Sequence, residues 1–380
     1  TLISIKVTKV PDKTVYRQGE PLDLTGLEVT GFFDDGSETL LPVIQEHISG
    51  HSMMEVDPAR VLTVTFEGLK AYFTIRVDPV PSVGLIAGYN RFETAAMVAE
   101  ASYDVTDTAI IVQARNFPDA LAAGPLATAL NAPILLTDTK ALEYYTPDTL
   151  HQLRVKKVIL MGGELVISKA VEDELKKTYQ VERIAGATRY DTALKAAEYL
   201  KTLKGTPQSA VITSGTSFAD ALSAGSYAAI NGFPMILTDG KTLTGANTSY
   251  LKDNQITNVT ILGGETIISA SIENNLKEQG IEVERIFGTT RVDTSAKFAQ
   301  RYFPECTKAI AANGWTFADA LSAIPYAAKQ QAPILLVRQN YVDQVMTSYL
   351  KDSAIHLVIV IGGNQVVSEK VRNDLWLAIQ

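Results

Sequence analysis

Arg183-Ile184-Ala185-Gly186-Ala187-Thr188-Arg189-Tyr190-Asp191-Thr192-Ala193 decides how this chain is read, because its pattern occurs three times. It stands earlier as Ile86-Ala87-Gly88-Tyr89-Asn90-Arg91-Phe92-Glu93-Thr94 and later as Ile286-Phe287-Gly288-Thr289-Thr290-Arg291-Val292-Asp293-Thr294. The arginines are about 100 residues apart. Three further landmarks keep step with it. The first is Phe117-Pro118-Asp119-Ala120-Leu121, Phe218-Ala219-Asp220-Ala221-Leu222 and Phe317-Ala318-Asp319-Ala320-Leu321. The second is Pro133-Ile134-Leu135-Leu136, Pro234-Met235-Ile236-Leu237 and Pro333-Ile334-Leu335-Leu336. The third is Met161-Gly162-Gly163, Leu262-Gly263-Gly264 and Ile361-Gly362-Gly363. The chain is therefore a tandem triplicate with a different segment in front.

A repeat of this length is long enough to bury its own core, unlike solenoid units of about 20–50 residues that need neighbours to fold. The chain has 380 residues, 46% hydrophobic and 20% charged, which is a globular composition. A net charge of -8 removes the basic footprint expected of a nucleic-acid binder. The single cysteine, Cys306, excludes an internal disulfide framework and a multi-cysteine metal site. His47, His51, His151 and His356 fall at no repeated position, so no repeated histidine site exists. His47 and His51 lie in a segment that does not read as a firm helix, and no metal is assigned there. No apolar run of about 18 residues is present, so no membrane insertion is expected. The chain starts at Thr1 without Met, so a mature or trimmed chain is expected.

Residues 1–79 have their own texture. Ile3, Ile5 and Val7 alternate with polar residues, as do Val61 to Phe66 and Tyr72 to Val77, which implies half-buried strands. Asp34-Asp35-Gly36-Ser37 reads as a hairpin turn, since Asp and Gly tolerate the backbone angles required. A small β-sandwich follows. Tyr16-Arg17-Gln18-Gly19-Glu20-Pro21-Leu22-Asp23-Leu24-Thr25-Gly26-Leu27 resembles the bacterial immunoglobulin-like domain of surface proteins. As such it reads as a spacer, with a binding role of its own as the alternative. Asp78-Pro79-Val80-Pro81-Ser82 reads as a short, stiff linker.

Each repeat alternates continuous apolar strands with amphipathic helices, the pattern of a parallel sheet covered on both faces. In the first copy the strands are Leu85-Ile86-Ala87, Ala109 to Val112, Pro133 to Thr137 and Lys157 to Met161. The helices are Pro118 to Leu130, Pro147 to Leu153 and one capped by Ser168 that runs to about Lys177. The right-handed crossover rule makes each unit loosely Rossmann-like. The expected division is 1–79, linker 80–84, and repeats 85–182, 183–284 and 285–380.

The Gly-Gly turns stand where nucleotide-binding folds keep phosphate loops, but neither dinucleotide nor P-loop spacing is present. They read as tight turns needing glycine's freedom, and Glu164 and Glu265 would repel a phosphate, with the neutral Asn364 at that place in the third copy. Asp119, Asp220 and Asp319 read as first-turn acids capping helix N–H groups, and Glu93, Asp191 and Asp293 read likewise. Arg91, Arg189 and Arg291 fit that position poorly, because the dipole there favours acids. Each needs a carboxylate partner, either its own copy's Asp119, Asp220 or Asp319 or a neighbour's. The alternative is an anionic ligand held by the guanidinium fork. No Ser-His-Asp or Cys-His set recurs, and three near-equal copies suit a multivalent binding surface better than one catalytic pocket.

Together the landmarks resemble the type 2 cell-wall-binding repeat of clostridial and other Gram-positive surface proteins and some autolysins, over residues 84–380. The resemblance implies three Rossmann- or Toprim-like domains in a pseudo-threefold ring, with no cofactor and no metal. It implies noncovalent anchoring of a secreted surface protein to an anionic cell-wall polysaccharide such as a teichoic-acid-like polymer. The family's Ile-Leu-Leu motif lies near repeat junctions and matches Ile134-Leu135-Leu136 and Ile334-Leu335-Leu336, with Met235-Ile236-Leu237 as the departure in the middle copy. These residues are expected to pack the core and junctions. Arg91, Arg189 and Arg291 are the candidate polymer contacts, since a chain of net charge -8 needs a local basic cleft to hold an anion. The third copy also departs with Ile324 for Gly124 and Gly225, and Val337 for Thr137 and Thr238, so a junction using it is expected to differ. Alternative readings are a module associated with a cell-wall hydrolase or amidase, and an adhesin that binds a host ligand through the Ig-like domain; other surface-layer proteins are a further candidate partner.

Overall fold

A computed structural model describes residues 1–380 and divides into two compact units, Thr1–Pro81 and Ser82–Gln380. The first is built of two sheets. Leu2–Lys9, Glu28–Phe33 and Glu38–Leu40 form one, all antiparallel. Val15–Arg17, Leu69–Asp78, Asp57–Phe66 and Ile48–Ser49 form the other. The expected turn joins Glu28–Phe33 to Glu38–Leu40, with Gly36 at φ +82 and Ser37 N donating to Asp35 Oδ1 at 2.9 Å. Leu62, Val64, Phe73, Ile75 and Val77 alternate into the core around Tyr16, as period 2 requires. Tyr16 is buried with its hydroxyl donating to the carbonyls of Lys13 and Asp23. Ile3 breaks the expected alternation and is exposed. A register shift between Leu2 and Ser4 adds one residue to the strand, so Leu2 and Ile5 face inward instead.

The second unit holds three sheets of four parallel strands, with helices between the strands. In order across each sheet, the first has Ile134–Thr137, Thr108–Gln113, Lys157–Met161 and Gln180–Ile184. The second has Met235–Thr238, Ser209–Ser214, Asn258–Leu262 and Glu282–Ile286. The third has Ile334–Val337, Lys308–Asn313, Leu357–Ile361 and Ser82–Ile86. The last strand therefore corrects the sequence reading. Leu85-Ile86-Ala87 was expected to open the first copy's own sheet, yet Leu85 pairs with Val360 and Ile86 with Ile361 of the third. Ser82, Val83 and Gly84, expected to be linker, belong to the same strand. Each copy thus hands its edge strand to the arginine helix of the next, and the third copy takes its edge strand from ahead of the first.

The copies meet through their Phe-x-Asp-Ala-Leu segments. The rings of Phe117, Phe218 and Phe317 lie 5.3, 5.7 and 6.0 Å apart in pairs, so one residue of each copy touches both others. The helices after them differ for a reason visible in the sequence. Ala219–Asn231 is continuous, whereas the third copy has Ala318–Ser322 followed by Ile324–Lys329, and the first has only Ala123–Ala129. Pro125 and Pro325 stand where the middle copy has Ser226. Proline cannot make the i→i−4 bond and crowds the carbonyl a turn before it, so the helix restarts there. This corrects the expected helix Pro118 to Leu130. Ile324 also finds its explanation. A Cβ at Gly124 would lie 2.5 Å from Ile324 Cγ2, and one at Gly225 would lie 2.5 Å from Ile324 Cδ1. Two glycines leave the space that one isoleucine of the third copy fills.

Candidate functional site: clefts shared between copies

The repeated motif is a loop locked onto a helix start. Helices run over Arg91–Ser102, Arg189–Lys204 and Arg291–Tyr302, each with the arginine as its first residue. The preceding residue caps: Asn90 accepts from the Phe92 and Glu93 amides, Thr188 from Asp191 N and Thr290 from Asp293 N. The acids reach back as expected. Glu93 accepts from Tyr89 N, Asp191 from Thr188 N at 2.9 Å and Asp293 from Thr289 N at 2.8 Å. The following threonines accept from the motif glycines: Gly88 N at 3.1 Å, Gly186 N at 3.0 Å and Gly288 N at 2.9 Å. Glycine is required by close approach, since a Cβ at Gly186 would lie 2.2 Å from Asp191 Cβ. Only the arginine is left without a role in this lock.

Its guanidinium is half tied. Arg91 Nη1 donates to Ala114 O at 2.7 Å, Arg189 Nη1 to Gly215 O at 2.7 Å and Arg291 Nη1 to Gly314 O at 2.6 Å. Each acceptor follows the central strand of the arginine's own copy. None of the three makes a direct ion pair.

Asp220 and Asp319 are 8% and 6% exposed, and Asp119 is half-buried. They do not cap helices, contrary to the sequence reading. Phe218 and Phe317 occupy the N-cap positions with no side-chain cap bond, and the first copy's helix starts only at Ala123. The carboxylates lie instead beneath the Gly-Gly turns. A Cβ at Gly162, Gly263 or Gly362 would stand 3.4, 3.2 or 2.7 Å from Oδ2 of Asp119, Asp220 or Asp319. These glycines have φ of +120, +124 and +108, so the turn needs them for conformation as well as for room. Each turn is pinned to the strand leading into the next arginine motif: Gly162 N donates to Ile184 O, Gly263 N to Ile286 O and Gly362 N to Ile86 O.

The result is a cleft between consecutive copies. Between the third and first, about 220 Å³ is lined by Tyr89, Arg91, Thr316, Asp319 and Asn364. Between the second and third, about 550 Å³ is lined by Asp220, Glu265, Phe287, Thr289 and Arg291. The carboxylates facing Arg91 and Arg291 therefore belong to the preceding copy, not to their own. Burial raises the Asp319 carboxyl to about 6, with Arg91 pulling against it, and raises Asp220 likewise against Arg291.

Ile134, Leu135, Leu136, Met235, Ile236, Leu237, Ile334, Leu335 and Leu336 are all buried in strands. Ile134, Leu136, Ile334 and Leu336 join a cluster with residues of all three copies, and Met235 and Leu237 pack with Leu121 and Phe298 of the flanking copies. They hold the core and junctions and have no surface to offer a sugar. Thr137 and Thr238 close the loops after their strands by donating to Ala141 O and Thr242 O, a bond Val337 cannot make.

Residues outside the motifs also shape the clefts. Arg183 donates to Gly162 O at 2.7 Å and pairs with Glu172 at 2.6 Å; Arg285 donates to Gly263 O at 2.7 Å and pairs with Glu273 at 2.6 Å. Both glutamates are held below the usual carboxylate range, first by Lys176 and Lys277 and then by these arginines. In the third copy Leu85 stands in the arginine's place, and Arg372 replaces the glutamate. Arg372 supports the loop from the helix, donating to Asn364 Oδ1 at 2.8 Å and Val367 O at 3.1 Å. Trp315, half-exposed, has the guanidinium of Arg291 4.9 Å and that of Arg338 4.4 Å from its ring. Its signal in the sequence is a tryptophan where the other copies carry Arg115 and Thr216.

Family models match this arrangement. Cell wall binding domain 2 covers residues 86–172, 183–273 and 285–372. The chain belongs to that family. A bacterial Ig-like domain of group 3 covers residues 9–77. The N-acetylmuramoyl-L-alanine amidase LytC of Bacillus subtilis is 31% identical over 318 residues, 83% of this chain and 62% of the amidase. The amidase enhancer of the same organism is 32% identical over 304 residues, 80% of this chain and 41% of the enhancer. The chain thus spans about half of these relatives' lengths. Cwp8 from Clostridium difficile has a similar structure, with TM-score 0.72 and 25% identity over 89% of this chain and 62% of Cwp8. Cwp6 from the same organism shares the fold along the whole chain, with TM-score 0.76 and 19% identity, covering 68% of Cwp6.

Proposed function

We propose that this cell-wall-binding chain is a non-enzymatic anchor that holds a secreted surface protein to an anionic wall polymer, of the teichoic-acid or secondary polysaccharide kind. In this reading the repeats 85–182, 183–284 and 285–380 are Rossmann-like units in a pseudo-threefold ring, and the Ig-like segment 1–79 is a spacer. The polymer contacts are Arg91, Arg189 and Arg291. The observation that carries it is the half-tied guanidinium: in every copy one edge is fixed to a carbonyl while no carboxylate pairs with the rest. A guanidinium held this way is pre-aimed for a phosphate or carboxylate. The Bacillus relatives support the same view, because a region shared by an amidase and an amidase enhancer need not carry the amidase activity. The net charge of -8 is no obstacle where distant acids are screened within about 10 Å.

The test is co-sedimentation with Gram-positive walls, native or stripped of anionic polymer, at two salt concentrations. Binding is expected to fall on stripping, to weaken with salt and to drop when the three arginines become alanine. Equal binding to stripped walls would move the ligand to peptidoglycan. A folded chain that binds neither would refute the anchor and favour the adhesin reading, which removal of residues 1–81 would then probe.

A further inference from the structure

The junction between the second and third copies has a cavity at each end. The arginine cleft lies at the carboxyl ends of Asn258–Leu262 and Glu282–Ile286. The other cavity lies at the amino ends of the same two strands. It measures about 540 Å³, and Tyr227, Asn258, Glu282 and Glu284 of the second copy line it with Arg301 and Tyr302 of the third.

The strand register identifies what this end of the junction lacks. Lys157 pairs with Gln180 in the first sheet as Asn258 pairs with Glu282 in the second. In the first copy the Lys157 ammonium fills the space. Its Nζ lies 2.6 Å from Glu182 and donates to the Tyr199 hydroxyl at 2.8 Å, over that ring. In the second copy the lysine is replaced by a shorter, neutral asparagine, Glu284 stands for Glu182, and Glu282 adds a carboxylate where the first has the neutral Gln180. Arg301 and the Tyr302 hydroxyl satisfy Glu284, at 2.6 and 2.8 Å. Glu282 is left with the Asn258 amide at 2.9 Å and no cation. The half-buried Tyr227 stacks on Tyr302, centroids 4.3 Å apart, and its hydroxyl bonds no group of the protein. The junction of the third copy with the first has no counterpart, because Leu357, Ser82 and Gly84 stand at these positions.

The charged groups lining the cavity are therefore two carboxylates and one guanidinium. That balance repels an anion and favours an ammonium, the group Lys157 supplies from within at the first junction. Tyrosine rings beside it favour the same cation. The volume is that of a site for a small organic molecule, far more than an ammonium needs. A free phenol hydroxyl and a carboxylate beside aromatic rings suit the hydroxyls and ring hydrogens of a sugar.

We infer that this cavity binds a sugar carrying a free amine, with its ammonium on Glu282 and a hydroxyl on Tyr227. Its charge preference is opposite to that of the arginine cleft at the far end of the same junction, and it stands whether or not that cleft takes an anion.

The test is 1H–15N NMR of the full chain titrated with glucosamine at pH 6, where the amine is charged. N-acetylglucosamine is the same ring without the charge, and ethanolamine is the ammonium without the ring. Expected are saturable shifts at Ser209, Asn258 to Thr260 and Glu282 to Glu284 with glucosamine, and little with either control. Glu282→Gln keeps an acceptor for Asn258 and should weaken binding at least fivefold, roughly what one opposite charge about 4 Å away contributes even in water. Asn258→Lys restores the internal ammonium of the first junction and should abolish binding without lowering the melting temperature. Either control binding as well as glucosamine, no shifts at these residues, or undiminished binding by Asn258→Lys would overturn the inference. The probe is a free sugar, so a negative titration removes this site while wall sedimentation still decides the anchor.

Discussion

Asp319→Asn should stabilise the protein at neutral pH, and the gain should vanish in acid. Burial holds the Asp319 carboxyl at about 6 instead of the usual 3.8. At 1.36 kcal/mol for each tenfold change, the folded chain loses roughly 3 kcal/mol by keeping this group ionised at pH 7.5. The folded state holds the proton more tightly than the unfolded chain. The loss is therefore complete above about 6 and is relieved as the pH falls toward 3.8. Asparagine has no such titration. The assay is urea unfolding of both proteins at pH 7.5 and pH 4. The stability of the variant relative to the wild type should be higher at pH 7.5 than at pH 4 by about 2 kcal/mol, since pH 4 lies just above the unfolded value and leaves a little of the loss in place. Using the difference between proteins cancels the acids shared by both, such as Glu172 and Glu273, whose lowered carboxyls lose stability on acidification. A pH-independent difference, or one of opposite sign, would refute the claim that Asp319 is buried at a cost. Stabilisation accompanied by weaker wall binding would identify that cost as functional.

Ile324→Ala should destabilise by about 3 kcal/mol, the usual loss for a fully buried isoleucine. Gly124→Ala alone should be neutral to unfavourable because its Cβ meets Ile324, yet it should stabilise the Ile324→Ala protein, a change of sign read by thermal melts of the four proteins. Arg285→Met should cost about 2 kcal/mol in urea unfolding, since Glu273 keeps Lys277 but loses its second cation, and the loop loses two carbonyl bonds. A chain starting at Ser82 should keep the melting temperature of the repeat unit, whereas one starting at Gly88 should melt lower, having stripped Leu357–Ile361 of one of its two pairing strands.

The sequence disclosed the repeats, the strand and helix pattern, the sandwich and the glycine turns because these obey short-range rules. Period 2 identified Phe73 and Ile75, and the acid two residues after each arginine identified a helix start. Two things were hidden. One was which copy supplies the carboxylate facing each arginine. Asp319 and Arg91 are more than two hundred residues apart in the chain, and the pairing of Leu85 with Val360 and the packing of Arg91–Ser102 on Ala318–Ser322 bring them together. The other was the function of the Phe-x-Asp-Ala-Leu acid. A first-turn position suggested a cap, but the proline-interrupted helices and the turn above the carboxylate assign it to the cleft. Arg183, Arg285 and Arg372 were legible only as strand or helix charges, because their meaning lies in a swap between two elements.

The conserved pattern within this one chain argues that binding and assembly are the same event. Glycine, acid and threonine in the motif are all consumed by the loop-to-helix lock. The arginine is kept at a helix start, where the local dipole opposes it. Something outside its own copy must therefore favour it. What stands opposite is a buried acid on the preceding copy, too distant for a direct ion pair and too enclosed to be comfortably charged. Such a cleft exists only where two copies are joined, and for Asp319 and Arg91 the join is made by the strand Ser82–Ile86. On the proposed anchoring function, such a unit needs its first strand for recognition as much as for folding.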